Sequence, residues 1–111
     1  MADIYTNGHW QPTPGSEHAF VDAWQQFATW ASSMPGAGRL TLVRDLANPE
    51  RFTSFGRWES IEQVRAWKSS PEFRERMAHV LQHVSDFQPS ELEVIAAAEQ
   101  GAATATEATA V

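Results

Sequence analysis

The chain has no cysteine among its 111 residues. Without a thiol it can form no disulfide framework, no thiolate zinc site and no cysteine nucleophile. Positive charge is also scarce, because eight lysines and arginines stand against fourteen acidic residues, for a net charge of −6. Nucleic acids and anionic membrane surfaces bind to basic faces, so neither is expected as a partner.

Long apolar runs are missing as well. No stretch approaches the ~20 apolar residues that a membrane span requires. Residues 1–5 lack the charged and apolar regions of a secretory signal, so the cytoplasm is the expected location. The chain is nonetheless 42% apolar, which is enough for a hydrophobic core, and its length fits one domain.

Tryptophan, by contrast, is abundant, with five copies in the chain. Each indole buries a large apolar area and has one N–H group that requires an acceptor. Such a density of tryptophan is typical of a pocket or an interface. If they line a pocket, a small apolar or aromatic molecule is the expected ligand. Alternatively, the tryptophans belong to an ordinary core.

Patterning along the chain predicts one domain over residues 1–96. Alternation of apolar and polar residues predicts four strands. They span residues 3–11, 39–45, 51–58 and 91–96. Residues 97–111 are rich in alanine and threonine and are predicted to be a disordered tail.

The first helical region is predicted to begin at Ser16, a residue type suited to the N-cap, and to run to about residue 33. The dipeptide Pro35-Gly36 then ends it. Its apolar residues share one face at helical spacing. They are Phe20, Ala23, Trp24, Phe27, Ala31 and Met34.

The second helical region is predicted in two parts. Ser60 opens the first part with the spacing of a capping box, and Ser70-Pro71 caps and starts the second. Pro89 is predicted to end the second part. Its apolar stripe consists of Phe73, Met77, Val80, Leu81 and Val84.

The order of elements, β-α-β-β-α-β with a broken second helix, is that of an α+β ferredoxin-like fold. Both helical regions would pack on one face of the sheet. The other face would carry an exposed apolar patch of Tyr5, Val43, Phe55 and Ile95. A second copy of the chain is the simplest cover for that patch, so a homodimer is predicted.

One stretch of the sequence resembles a known family. It begins with Phe-Thr-Ser-Phe-Gly-Arg-Trp-Glu-Ser at residues 52–60 and continues with Val-Arg-Ala-Trp at 64–67 and Ser-Pro-Glu-Phe at 70–73. These residues resemble the antibiotic biosynthesis monooxygenase (ABM) family. The resemblance implies a dimeric α+β barrel with a pocket between each sheet and its helices. Some members oxygenate aromatic phenols or anthrones with O₂ and no cofactor, whereas others bind and degrade haem.

For the oxygenase branch, the resemblance implies roles for Trp58 and Ser54. A tryptophan at the position of Trp58 can hold a substrate carbonyl or a developing oxyanion through its indole N–H. Alternatively, Trp58 is a packing residue. Ser54 stands where those enzymes have asparagine and can still donate a hydrogen bond, whereas Val64 stands where they have tyrosine and cannot replace a phenol.

For the haem-degrading branch, Trp67 matches the second-helix tryptophan, but the axial histidine falls on Met77. His79 lies two residues further on, about 200° around the helix, and should point to solvent. Haem is therefore disfavoured, and no cofactor is expected.

A general base is expected among the histidines, because imidazole titrates near neutral pH. His79 and His83 have the i, i+4 spacing of a metal-binding pair, but no further ligand stands beside them, so no metal is predicted. His83 is nearer the apolar stripe, could border the pocket and is taken as the candidate base, but the sequence does not choose among the histidines. His9 and His18 are alternatives.

The predicted substrate pocket has aromatic and apolar walls. They are formed by Trp10, Trp24, Phe27, Trp67 and Met77. The favoured function is a cofactor-independent monooxygenase for an electron-rich aromatic substrate, with Trp58, Ser54 and His83 as catalytic residues. The alternatives are a ligand-binding or accessory dimer without chemistry and, third, a haem protein.

Overall fold

The fold is a four-stranded antiparallel sheet with three helices packed on one face, seen in a computed structural model that describes residues 3–98. Its elements are β1 (Ile4–Pro12), α1 (Glu17–Ala31), β2 (Ala37–Arg44), β3 (Phe52–Trp58), α2 (Ile61–Lys68), α3 (Pro71–Leu81) and β4 (Val84–Glu93). The strands lie side by side in the order β2-β3-β1-β4. The predicted α+β ferredoxin-like class with a broken second helix is confirmed.

Alternation along the strands decides which face of the sheet the helices cover. In β1 the side chains of Thr6 and Trp10 are buried, whereas the intervening His9 is exposed. Trp10 pairs with Phe52 of β3, which is also buried. The helices add their apolar faces to form one core. Its largest members are Trp10, Phe20, Trp24, Phe27, Phe52, Trp58, Val64, Trp67 and Val80.

Serine was predicted at the N-cap of all three helices, and two of these serines make a side-chain capping bond. The hydroxyl oxygens of Ser60 and Ser70 each accept a hydrogen bond from a backbone N–H in the first turn, at 3.2 and 3.1 Å. The side chain of Ser16 accepts no such bond at the start of α1. The chain instead enters α1 through a turn in which Gly15 has φ of 86°, a conformation that glycine adopts without a steric penalty.

The C-terminal part of the domain differs from the prediction. Helix α3 ends at Leu81 rather than at Pro89. Strand β4 begins at Val84 and ends at Glu93, so the strand predicted at 91–96 begins too late and ends too late. Pro89 lies within β4, because β4 is an edge strand and a proline there need not remove a ladder hydrogen bond. Leu81 is 38% exposed and does not belong to the core stripe.

The sheet face away from the helices carries both polar and apolar side chains. Of the four residues predicted for an apolar patch, Val43, Phe55 and Ile95 are exposed, whereas Tyr5 is half-buried. Leu92 is a further exposed apolar residue. Within residues 3–98 no helix is long and apolar enough to cross a membrane. The predicted tail, residues 97–111, lies outside the described residues apart from its first two.

Candidate functional site

A cavity of about 190 Å³ lies between the sheet and the helices. The five residues predicted to form pocket walls all line it: Trp10, Trp24, Phe27, Trp67 and Met77. Phe73 and Phe87 complete the aromatic lining. An apolar cavity of roughly 150 Å³ can hold a benzene molecule, so this one has room for a small aromatic ring system.

Ser54 borders the cavity and is held by Trp10. The indole N–H of Trp10 donates to Ser54 Oγ at 2.9 Å. Because Oγ is the acceptor in this bond, the hydroxyl hydrogen of Ser54 can be donated elsewhere. Gly8 leaves the space for this pair, since a Cβ at that position would lie 3.0 Å from both Ser54 Oγ and Trp10 Nε1. The geometry therefore presents a polarised hydroxyl to the cavity.

Trp58 lies behind the cavity rather than on its surface. Its side chain is fully buried and its indole N–H donates to Thr6 Oγ1 at 3.2 Å. Thr6 does line the cavity. This geometry corresponds to the packing alternative for Trp58, which positions Thr6, and the catalytic role of Trp58 stays a prediction.

Trp67 has the opposite arrangement. It lines the cavity and is 6% exposed, and its Nε1 is the one buried side-chain nitrogen or oxygen within residues 3–98 that has no hydrogen-bond partner. The indole is wedged between the rings of Trp58 and Phe73, whose centroids lie 4.7 and 4.8 Å away. A buried donor without a protein acceptor is costly, so this N–H is an exception among the buried polar groups of the domain.

The structure does not bring His83 to the cavity. His79 and His83 lie together, with ring centroids 5.9 Å apart, at the end of α3 and in the turn that follows it. No histidine, aspartate or glutamate is among the residues that line the cavity. Among residues 3–98, no three side chains of the metal-binding types gather into a site. The role of His83 as a base stays a prediction without a contact to support it.

Lys68 was missed by the sequence reasoning. It is the one ionisable side chain among the residues that line the cavity, and its ammonium group lies 3.3 Å from a carboxylate oxygen of Glu91 in β4. It is also the single lysine in the chain and follows Trp67 directly. Being the single lysine, next to a tryptophan predicted to line the pocket, was the feature of the sequence that could have identified it.

Comparisons with known proteins agree with this architecture. Residues 4–79 match the sequence model of the antibiotic biosynthesis monooxygenase family. A search of curated proteins finds no match.

Solved structures are similar in fold at low identity. SnoaB from Streptomyces nogalater, described as a cofactor-independent oxygenase and solved as a mutant, superimposes with a TM-score of 0.80 at 12% identity, over 88% of this chain and 98% of that one. A protein from Bordetella bronchiseptica, provisionally called an antibiotic biosynthesis monooxygenase, gives a TM-score of 0.76 at 19% identity, over 86% and 100% of the two chains. Such identities establish the fold alone.

Proposed function

Because the chain belongs to the antibiotic biosynthesis monooxygenase family, we propose that it is a monooxygenase that oxidises a small electron-rich aromatic substrate with O₂ and without a cofactor. The observation that carries this proposal is the aromatic cavity, which is lined by Trp67, a residue whose buried N–H has no hydrogen-bond partner. A buried donor aimed at no protein acceptor is suited to an oxygen atom of a ligand. The description of SnoaB as cofactor-independent supports the absence of a cofactor.

The chemistry requires only a reactive substrate and a dry site. A phenol loses its proton, and the electron-rich ring transfers one electron to O₂, giving superoxide and a substrate radical. These combine to a peroxide at the ring carbon opposite the oxygen. Loss of water then leaves a quinone, so that phenol plus O₂ yields quinone plus water. The protein contributes by excluding water and by stabilising negative charge on oxygen.

The residues of the cavity fit these two tasks. The side chains of Trp24, Phe27 and Met77 supply an apolar wall that excludes water. The N–H of Trp67 and the O–H of Ser54 are two donors that can serve a phenolate or carbonyl oxygen. One such donor in a dry site stabilises developing charge by about 3 kcal/mol.

The size of the cavity indicates the size of the substrate. A volume of about 190 Å³ is smaller than the roughly 300 Å³ at which pockets for drug-sized ligands begin. It accommodates one or two aromatic rings, either of a small polyphenol or of part of an anthrone. The cavity also does not fit haem, since it is small and no histidine lines it, and no step of the proposal uses haem.

The test is oxygen uptake by the metal-stripped protein with a panel of one-ring and two-ring polyphenols. We expect oxygen uptake that depends on the protein, persists with a chelator and forms a quinone. Replacing Trp67 with phenylalanine should lower the rate about tenfold or more. Replacing the half-buried Trp30, which does not line the cavity, should leave it unchanged. Turnover that a chelator abolishes would contradict the cofactor-free mechanism.

A binding or accessory role is the second candidate, because the cavity holds no carboxylate or imidazole that could act as a base. It predicts tight binding of the same phenols with no oxygen uptake. Binding without uptake across the panel would therefore favour this role over catalysis.

We also propose that the active form is a homodimer in which a second copy covers the helix-free face of the sheet. The support is the exposure of Val43, Phe55 and Leu92, at 41%, 39% and 47%, on that face. Light scattering should give twice the monomer mass. Val43→Glu should yield monomers, whereas a glutamate at Leu46, which is 91% exposed in the turn after β2, should not. A wild-type monomer at micromolar concentration would contradict the dimer.

A further inference from the structure

Lys68 is the only charge that the cavity could offer to a ligand. The other residues that line the cavity are apolar or neutral. Lys68 follows Trp67 at the end of α2, so the ammonium group and the unpartnered indole N–H belong to adjacent residues. Because both residues line the cavity, an anionic oxygen bound there can pair with the Lys68 ammonium group, and a charge-assisted hydrogen bond is stronger than a neutral one.

The present partner of Lys68 is exchangeable. Its ammonium group lies 3.3 Å from Glu91, and the two side chains are 27% and 34% exposed. Ion pairs between partly solvated side chains contribute little to stability, so replacing Glu91 by another anion costs little. A negatively charged ligand oxygen would take over the contact, and Glu91 would turn to water.

The lack of a general base among the residues that line the cavity also favours an anionic ligand. No carboxylate or imidazole lines the cavity, so no such group there can accept the proton of a bound phenol. A phenol that has already lost its proton needs no base. An anion in an apolar cavity is costly unless a cation pairs with it, and Lys68 is the side chain that can do so.

We propose that Lys68 selects substrates that enter the cavity as anions, namely the phenolates or enolates of acidic hydroxylated aromatics, by exchanging Glu91 for the substrate oxygen. This inference rests on the proposed function and narrows its substrate class. The substrate is an aromatic whose hydroxyl group ionises near neutral pH, not a neutral phenol that the protein deprotonates.

Two ligands of matched shape test this selection. Dissociation constants for 4-nitrophenolate and its neutral methyl ether, 4-nitroanisole, are measured by equilibrium dialysis at a pH at which the phenol is ionised. The wild-type protein should bind the phenolate about tenfold more tightly than the ether. Lys68→Met should abolish that preference while leaving the ether's affinity unchanged. Arg65→Met, an exposed cation on the same helix, should keep the preference.

The partner residue gives a prediction of opposite sign. Glu91→Gln frees Lys68 from its carboxylate, so phenolate affinity should rise about threefold or more while ether affinity stays constant. A phenolate preference that survives Lys68→Met would overturn the inference. Ether binding without any phenolate preference in the wild type would overturn it as well, but would leave the proposed function standing. If the wild type bound neither ligand, both this inference and the proposed function would fail.

A second readout needs no variant in the cavity. Lys68 is the single lysine, so reductive methylation with ¹³C-formaldehyde labels one side chain besides the N-terminal amine, and the modified lysine keeps its charge. The Lys68 methyl signal should shift with 4-nitrophenolate and stay in place with 4-nitroanisole. A signal that responds to neither ligand, or to both alike, would contradict the contact.

Discussion

The aromatic layer between the sheet and the helices contains two neighbouring indoles that differ in hydrogen bonding, and their surroundings are called here the Trp58 end and the Trp67 end. At the Trp58 end the indole is fully buried and its N–H donates to Thr6. At the Trp67 end the indole borders the cavity and its N–H has no partner, although the two ring centroids are only 4.7 Å apart. Both residues are tryptophans, but the N–H of Trp58 is paired within the core, whereas that of Trp67 has no partner.

This difference separates two uses of one residue type. A buried donor with an acceptor stabilises the fold, whereas a buried donor without one costs about 1–3 kcal/mol. The bond at the Trp58 end therefore stabilises the fold, whereas under the proposed function the donor at the Trp67 end bonds to a ligand. Changes at the two ends should have different consequences.

The largest expected effect is at the Trp58 end. Trp58→Ala should lower the free energy of unfolding by about 3–5 kcal/mol, because it leaves a cavity in the core and an unpaired hydroxyl at Thr6. Urea denaturation at a fixed protein concentration measures it. The half-buried Trp30 provides the control, since alanine there should cost much less. Equal losses at Trp58 and Trp30 would contradict the account.

A smaller effect comes from making one chemical change at both ends. Trp58→Phe and Trp67→Phe remove the same atoms, but the first removes a partner from Thr6 and the second removes a donor that had none. Trp58→Phe should therefore be more destabilising by about 1–3 kcal/mol in ligand-free protein. Denaturation of the two variants side by side tests this, and the reverse order would break the comparison.

The smallest effect lies outside the layer, at the exposed pair of Asp3 and Arg57. The Arg57 guanidinium donates to Asp3 at 3.0 Å, and this hydrogen bond holds the pKa of Asp3 below its ordinary value. The folded state thus favours the carboxylate, so its contribution is present at neutral pH and is lost as the pH falls through the range in which Asp3 titrates. Asp3→Asn should be slightly less stable than the wild type at neutral pH, and the gap should close in acid. A gap that widened in acid would contradict this.

Much of the fold was predictable because it is encoded locally. Alternation in β1 and β3 and the single apolar face of α1 reflect the strand and helix periods directly. The last strand was not predictable in this way. Val80, Leu81 and Val84 fit a helical stripe, but the chain leaves the helix because Phe87 pairs with Trp10 in the sheet, where their rings stack with centroids 4.0 Å apart. That contact joins distant parts of the chain.

The walls of the cavity were predictable and its hydrogen bonds were not. Aromatic residues on the covered face mark a pocket lining whatever their detailed positions. Which indole lacks an acceptor depends on whether a hydroxyl lies within about 3 Å. Thr6 and Ser54 supply one to Trp58 and Trp10 across the sheet, and none reaches Trp67. Histidine was expected as a base from its chemistry alone, and the position of His83 in three dimensions does not follow from chemistry.

The central claim is that the N–H of Trp67 bonds to an oxygen of an aromatic ligand. Five tryptophans give five indole signals in a ¹⁵N-correlated NMR spectrum, and Trp67→Phe and Trp58→Phe assign two of them. On addition of acetophenone, the Trp67 signal should move downfield as its N–H finds the carbonyl, and the Trp58 signal should stay in place. Ethylbenzene, which lacks the carbonyl, should not produce the downfield shift. A Trp67 signal that responds identically to both ligands, while that of Trp58 moves, would contradict the account.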